Sequence, residues 1–448
     1  MENVHLVRRI LVKFAGLGYD AVVWDAPPPG PYDDDYDEAG GHADLYAAFL
    51  SAYEEYLNGI YFEDVPAPVM KARIDEFRAL SFVKDVQDRT QPDFLRPEAG
   101  RLRGFQLDGL NWLLYKFHNE QNAILADDMG MGKTIQVVAA LASLVLRAPR
   151  VWPFLLVVPN ATCANWRREL KKWAPDLRVV AYYGGKEAQN LAYDYELYPN
   201  RSQKMKAHVV VMSYESAQDA TDTFMAGVRW RGLVVDEGQR LKNDGNLLYK
   251  ALDKLRVPYR VLLTGTPLQN NKRELFNLIQ FVDRTRDAAR LDETYQVLTE
   301  ANIASLHELI RPYFLRRTKA DILVELPPMA RVIVPVSMTV LQERLYKSIL
   351  TKSRDVIGML LARDPTRRRE RSKGLNNILM ELRKCLCHPF LYSDAVEDRT
   401  DDPAASHANL VEASAKLMLL SVMLPKLRAG GHRVLLASAC PTCAWTGA

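Results

Sequence analysis

Apolar residues fall into short, uninterrupted runs through the middle of this chain, at residues 123–126, 154–158, 179–183, 208–212, 232–235 and 260–263. Each run ends in turn or polar residues, and most are followed by a stretch of helical spacing. Runs of this length without strict alternation suit strands buried on both faces, and their alternation with helices predicts a parallel sheet covered on each side. The apolar run at 135–146, interrupted only by Gln136 and Ser143, has the length of a buried core helix. The first sixty residues have a different rhythm. Residues 9–14 and 21–24 have strand-like composition around a Gly16-Leu-Gly18-Tyr-Asp20 turn, and Leu45, Phe49, Tyr53 and Tyr56 recur at helical spacing over 44–57. Residues 61–100 are mixed and carry Pro66, Pro68, Pro92 and Pro97, reading as a linker or brace rather than a domain.

Composition narrows the class without naming a function. The 448 residues exceed one ordinary core, so about two to four domains are expected. With 48% hydrophobic and 25% charged residues the chain has the balance of a globular protein. A net charge of +4 barely favours nucleic acid over any other partner. No apolar run reaches the roughly 18 residues a membrane span needs, so no membrane partner is expected. Met1-Glu2-Asn3-Val4 opens without a charged leader and apolar segment. Five cysteines give no disulfide framework and point to a reducing compartment. Cys440 and Cys443 form a lone C-x-x-C, with no second pair or histidine to complete a zinc site, and read as incidental. The acidic run 33–38 reads as a solvated loop.

In parallel sheets of this kind ligands sit beyond the carboxyl ends of the strands, and the polar residues that follow the runs carry recognisable chemistry. After residues 123–126 come Asp127-Asp128-Met129-Gly130-Met131-Gly132-Lys133-Thr134 and then the helix. The glycines let the backbone bend so that N–H groups face phosphate at a helix N-terminus. Lys133 can reach the β- and γ-phosphates of ATP, and the Thr134 hydroxyl can ligate Mg²⁺. Where the strict pattern has a further glycine, this chain has Asp127. About a hundred residues on, the run 232–235 ends in Asp236-Glu237-Gly238-Gln239. At a strand end in register with a phosphate loop, Asp236 would hold the metal partly through its water shell, and Glu237 would orient or deprotonate the attacking water. The run 260–263 delivers Thr264-Gly265-Thr266, small and hydroxylated residues suited to relaying the state of the γ-phosphate to the acidic loop together with Gln239. Upstream, the amide of Gln106 could read the adenine edge, while Phe105, Leu107, Leu110 and Trp112 read as packing.

These segments occur in the order seen in Swi/Snf-type helicase-like ATPases. The resemblance runs through Gln106, the phosphate loop, Pro159-Asn160-Ala-Thr162-Cys-Ala-Asn-Trp166, Ser213-Tyr214-Glu215, the 236–239 box with Arg240-Leu-Lys-Asn243, residues 263–271 and Phe314-Leu-Arg316-Arg317-Thr-Lys319. The box departs from that family's D-E-G-H or D-E-A-H at Gln239, which puts the details of coupling in question. Met380–Pro389 resembles the family's helix at the junction between lobes, and Ala415-Lys416-Leu417 with residues 431–436 resembles the first strand of its second lobe. Residues 11–20 with Trp24 resemble part of a chromodomain, which together with the motor resembles the chromodomain-helicase-DNA-binding remodellers. Phe14 and Trp24 stand at plausible positions for rings around a methylated lysine, though packing is the preferred reading.

The resemblance implies an α/β protein with a RecA-like P-loop lobe at 101–322 and junction helices with the incomplete start of a second RecA-like lobe at 323–448. A partial chromodomain-like module at 1–60 and the linker at 61–100 precede them. It implies an ATP- and Mg²⁺-dependent, DNA-stimulated ATPase of the nucleus that moves along double-stranded DNA, acts on nucleosomes and belongs to a remodelling complex. Phosphodiester contacts are expected at Asn160, Thr162, Ser213, Tyr214, Arg316, Arg317 and Lys319. No site is assigned to the basic segment 363–373. After Ser438 the residues fit neither the family pattern nor an amphipathic helix, so a fragment or mispredicted end, binding ATP but hydrolysing it feebly, is expected. A strand-separating helicase and a non-catalytic chromatin adaptor stand as alternatives. Strand displacement separates the first from a remodeller, and ATP affinity with and without Lys133→Ala weighs the second.

Overall fold

A computed structural model of the chain describes residues 4–12, 22–28, 42–221, 224–265, 272–296, 300–322, 329–352, 368–391 and 402–436. The chain divides into two units, Met1–Leu326 and Pro327–Ala448.

The first unit is built on a seven-stranded sheet of β3 (Ala123–Leu125), β4 (Phe154–Val158), β5 (Val179–Tyr182), β6 (Val209–Ser213), β7 (Gly232–Val235), β8 (Arg260–Leu263) and β9 (Phe314–Leu315). Their order is β5-β6-β4-β7-β8-β3-β9, and every pairing is parallel. The six predicted runs are all here, and each residue of β3 to β8 is buried. That burial is why these strands read as continuous apolar runs, since both faces are covered. One face packs with α3 (Gly104–His118), α4 (Lys133–Ala142) and α5 (Asn160–Trp173), whose Leu113, Val138 and Trp166 share a core with Leu125, Leu156 and Val211. On the other, Leu155, Val157, Val210 and Val235 join Tyr214 and Ala217 of a helix at Tyr214–Ala220 and Leu248 and Leu252 of another at Leu247–Lys254. The helical apolar run continues past α4 as a π-helical turn at Ser143–Arg147, buried through Val145.

Two stretches bear on the sequence-based expectation, the first as a packed brace and the second as a difference. Residues 61–100 form a helix at Ala67–Ala79 followed by turns, and Met70, Phe77, Val86 and Leu95 enter the same core as β3 and β4. This stretch is part of the lobe's packing, whatever its prolines suggest. Residues 431–436, which resemble a first strand, carry no strand pairing among the described residues, and Leu435 is 95% exposed. A strand is defined by its ladder, and no described neighbour supplies one.

Near the N-terminus β1 (Ile10–Val12) and β2 (Val23–Asp25) pair antiparallel, with Leu11 opposite Trp24. Trp24 is half-exposed, and the Arg9 guanidinium lies 5.6 Å from its ring, so the ring already carries a cation from its own module. Phe14 and the 16–20 turn lie outside the described residues. The predicted amphipathic helix is α1 (His42–Ile60). The second unit is helical among the described residues, at Val340–Lys352, Arg368–Cys387, Pro403–Ala413 and Ala415–Ala429, with a small core of Ile349, Ile378, Leu382 and Cys385. The expected junction helix is the end of Arg368–Cys387. No helix among the described residues is long and apolar enough to cross a membrane.

Candidate nucleotide-binding site

The carboxyl ends of β3, β7 and β8 are neighbours in the sheet, so their following loops converge. The loop after β3 turns on Gly130 at φ 81° and Gly132 at φ 80°, a left-handed conformation that strains any residue with a Cβ. Gly132 also has no room for one, since a Cβ there would come within 2.4 Å of Gln106 Nε2. Lys133 opens α4 and its ammonium donates to the carbonyls of Asp127 at 2.7 Å and Asp128 at 3.4 Å. Burial lowers the Lys133 pKa, and Asp127, Glu237, Asp236 and Asp128 each oppose that shift. The lysine therefore sits within the field of four carboxylates, where a second anionic group needs a divalent cation as company. Thr134 lies half-buried in the first turn of α4.

The acidic pair follows β7. Asp236 Oδ2 accepts from Trp166 Nε1 at 2.8 Å, Oδ1 accepts from the Glu237 N–H at 2.9 Å, and the Tyr214 hydroxyl donates to the Asp236 carbonyl. Burial raises the Asp236 pKa, while the bonds from Trp166 and the Glu237 amide work against the rise. Each carboxylate oxygen keeps lone pairs beyond the one these bonds use. Glu237 adopts φ 49°, turning the chain sharply after the strand. Gln239 Nε2 donates to Glu237 Oε2 at 2.6 Å, and Gln239 Oε1 accepts from Thr264 Oγ1 at 3.0 Å. The amide thus uses its donor toward the acidic box and its acceptor toward the end of β8, a bridge that a glutamine makes in one tautomerically unambiguous form. Gly265 faces this site closely, since a Cβ there would lie 2.8 Å from Met129 Cγ and 3.8 Å from Lys133 Nζ. Thr266 lies outside the described residues. Bent glycines beside a lysine, with a hydroxyl and a carboxylate from separate strand ends, are a donor set that fits a nucleotide polyphosphate with Mg²⁺.

Gln106 lies against the loop. Its Nε2 donates to the Met131 carbonyl at 3.2 Å and its Oε1 accepts from the Arg103 N–H at 3.0 Å, so both ends of the amide are used within the protein. Asp127, where the strict pattern has glycine, is fully buried and engaged by Arg317 and Gln136. Its Oδ1 accepts from the Arg317 N–H at 3.1 Å and from Arg317 Nε at 3.0 Å, and Oδ2 accepts from Gln136 Nε2 at 3.3 Å. A second Arg317 nitrogen completes a forked pair with Oδ2 and also donates to Gln136 Oε1 at 2.9 Å. A buried carboxylate requires such a partner.

Three residues expected at DNA are placed inside the protein. Arg317 is committed to Asp127 and to the Phe105 carbonyl, with its guanidinium 5.5 Å from the Phe105 ring. The Ser213 hydroxyl is 2% exposed and caps the following helix by accepting from the Ser216 N–H at 3.1 Å. Tyr214 is buried against the Asp236 carbonyl. A helix start after a buried strand has orphan N–H groups to satisfy, which claims the serine before any ligand. Thr162 is half-buried and donates to the Pro159 carbonyl at 2.9 Å. Asn160, Arg316 and Lys319 are exposed. The sequence places Trp166 in a family motif but gives no sign of its bond to Asp236, nor of the roles of Gln136 and Arg317 beside Asp127; the one available signal was an aspartate at a buried strand end, which demands a counter-charge.

Comparison with known proteins places the chain in a family. Residues 105–391 match the model of the SNF2-related domain, and residues 1–58 match the MIT1 Chromo domain. The chromatin remodeling factor mit1 of Schizosaccharomyces pombe is 39% identical over 98% of this chain and 30% of its own length. The CHD3-type chromatin-remodeling factor CHR7 of Arabidopsis thaliana is 39% identical over 77% of this chain and 27% of its own. The chromodomain-helicase-DNA-binding protein 3 homolog of Caenorhabditis elegans is 34% identical over 96% and 25%. The solved SWI2/SNF2 ATPase core of Sulfolobus solfataricus in complex with dsDNA overlaps 74% of this chain and 66% of its own, with 24% identity and a TM-score of 0.44. The chain thus spans less than a third of the length of these curated relatives. With the SNF2-related model covering well over half of its residues, the chain belongs to the SNF2-related family.

Proposed function

We propose that this chain is the ATP-binding part of a motor that hydrolyses ATP to move along double-stranded DNA and so remodels nucleosomes in the nucleus. The reading rests on one observation above others: Lys133, the Asp236–Glu237 pair and the Gln239–Thr264 bridge converge at one end of the sheet. Relatives named as chromatin-remodelling factors support the wider role and a place in a remodelling complex.

In this reading Lys133 binds the β- and γ-phosphates, and Thr134 with Asp236 holds Mg²⁺, Asp236 partly through water. The metal, when bound, neutralises charge on the phosphoryl oxygens. Trp166 and the Glu237 amide fix the rotamer of Asp236, leaving lone pairs with which it would hold the metal. Glu237 orients the attacking water and takes up its proton, and Gln239 holds that carboxylate in register with Thr264. The phosphodiester backbone meets Asn160 and Arg316, giving affinity without sequence preference. The test is equilibrium binding of a fluorescent ATP analogue. The expected result is Mg²⁺-dependent affinity that Lys133→Ala lowers about tenfold or more, the worth of a charge-assisted contact to phosphate. Affinity that ignores both Mg²⁺ and Lys133 would sink the reading.

A further inference from the structure

The segment after β9 runs beside the phosphate loop, and two of its backbone amides are held by two successive loop carboxylates. The Arg317 N–H donates to Asp127 Oδ1 at 3.1 Å, and the Lys319 N–H donates to Asp128 Oδ2 at 3.0 Å. These bonds set where the Lys319 side chain starts, and it extends across the tip of the loop. A methyl group placed on Gly130 would lie 3.4 Å from Lys319 Nζ and 3.5 Å from its Cε. Among the described residues, no carboxylate comes within ion-pair distance of this ammonium. Asp128 spends an oxygen on the Lys319 N–H. Arg317, two residues earlier, is by contrast fully paired with Asp127.

An exposed lysine normally points its ammonium into water. Here it lies over the tip of the phosphate loop near the start of α4, while the two loop carboxylates are engaged elsewhere, Asp127 by Arg317 and Asp128 by the Lys319 N–H. An ammonium held at that place stands where the phosphate oxygens of a nucleotide would lie in the reading above. We propose that Lys319 is a second cation of the nucleotide site, binding the polyphosphate of a nucleoside triphosphate at the tip of the loop. Arg317 acts as a positioning residue that fixes the loop through Asp127. This rests on the nucleotide reading above and deepens it, moving both residues from the DNA face to the ATP site.

The test measures Mg²⁺-dependent affinity of the whole chain for fluorescent ATP and ADP analogues, its affinity for a labelled random-sequence duplex, and its thermal midpoint. Lys319→Ala, at an exposed position, is expected to weaken ATP by about tenfold and ADP by less than about threefold. Duplex affinity and the thermal midpoint should stay unchanged, and Lys319→Arg should restore most of the ATP affinity. ATP affinity equal to that of the unmodified chain would overturn the proposal. So would an equal loss for ATP and ADP, which removes the triphosphate assignment, or a loss of duplex affinity with ATP untouched, which returns Lys319 to DNA. For Arg317 the Arg317→Met, Asp127→Asn pair removes both charges together and is expected to weaken ATP but not duplex, with an unchanged thermal midpoint as the check on folding. Should the unmodified chain itself lack Mg²⁺-dependent ATP binding, the underlying reading fails, an outcome separable from these.

Discussion

His208 shows how a single half-buried side chain can govern the response to pH. Its ring packs against Phe62 and Trp152, and its Nδ1 accepts the Arg178 N–H at 3.0 Å, so the neutral tautomer is required. Burial, helped by Arg178 and Arg150, lowers its pKa to about 4. The unfolded chain takes up a proton below the ordinary histidine value, about 6.5, whereas the folded chain resists it until about pH 4. Its contribution is therefore fully present above pH 6.5 and is lost as pH falls toward 4, by about 3 kcal/mol in all. Urea unfolding at pH 7.5 and pH 5 should show about 2 kcal/mol of that loss in the unmodified chain and a flatter slope in His208→Gln. An identical slope in the two proteins would refute it. Nothing local in the sequence marks this histidine, because the partners that bury it lie on other elements. The same is true of Arg317: its neighbours in the chain suggest a basic surface, and only the aspartate 190 residues away turns it inward.

At the scale of elements, the strands were the most legible part. Buried parallel strands carry their own signature, so the runs at 154–158, 232–235 and 260–263 coincide with β4, β7 and β8. β9 has only two residues and shows no period. It is a strand because Ile124 and Leu125 of β3 pair with it. Residues 61–100 hid their role for a related reason, since prolines advertise irregular backbone and say nothing about what Met70 or Leu95 will touch. The phosphate loop was legible because its glycines are required by backbone geometry. Gly132→Ala tests that requirement: φ 80° and the approach of Gln106 leave no place for a methyl group. A cost of about 1–3 kcal/mol in loop strain is expected, read as a loss of ATP affinity of roughly tenfold or more. Wild-type affinity in this variant would mean that the loop has another conformation when it functions.

Across the whole molecule the two units have separate cores, and every residue assigned to the nucleotide site belongs to Met1–Leu326. Ligand binding stabilises what it binds, by about 2.7 kcal/mol at a hundredfold excess over Kd. Hydrogen exchange with saturating Mg²⁺·ATP should therefore slow in β3, β7, β8 and α4. The helices around Ile349 and Leu382 should exchange as before, and protection confined to them instead would place the nucleotide elsewhere. The sequence alone determined the parallel sheet, the places where its strands end and the order of polar residues there. Each of those depends on short stretches of chain whose apolar spacing and glycine content restrict the backbone directly. Tertiary structure alone decided which polar side chains turn inward. Trp166 reaches Asp236 across 70 residues and Arg317 reaches Asp127 across 190, and Ser213 and Tyr214 are enclosed by packing. Whether a polar group faces water or a partner depends on what distant segments bring beside it, and no local pattern encodes that.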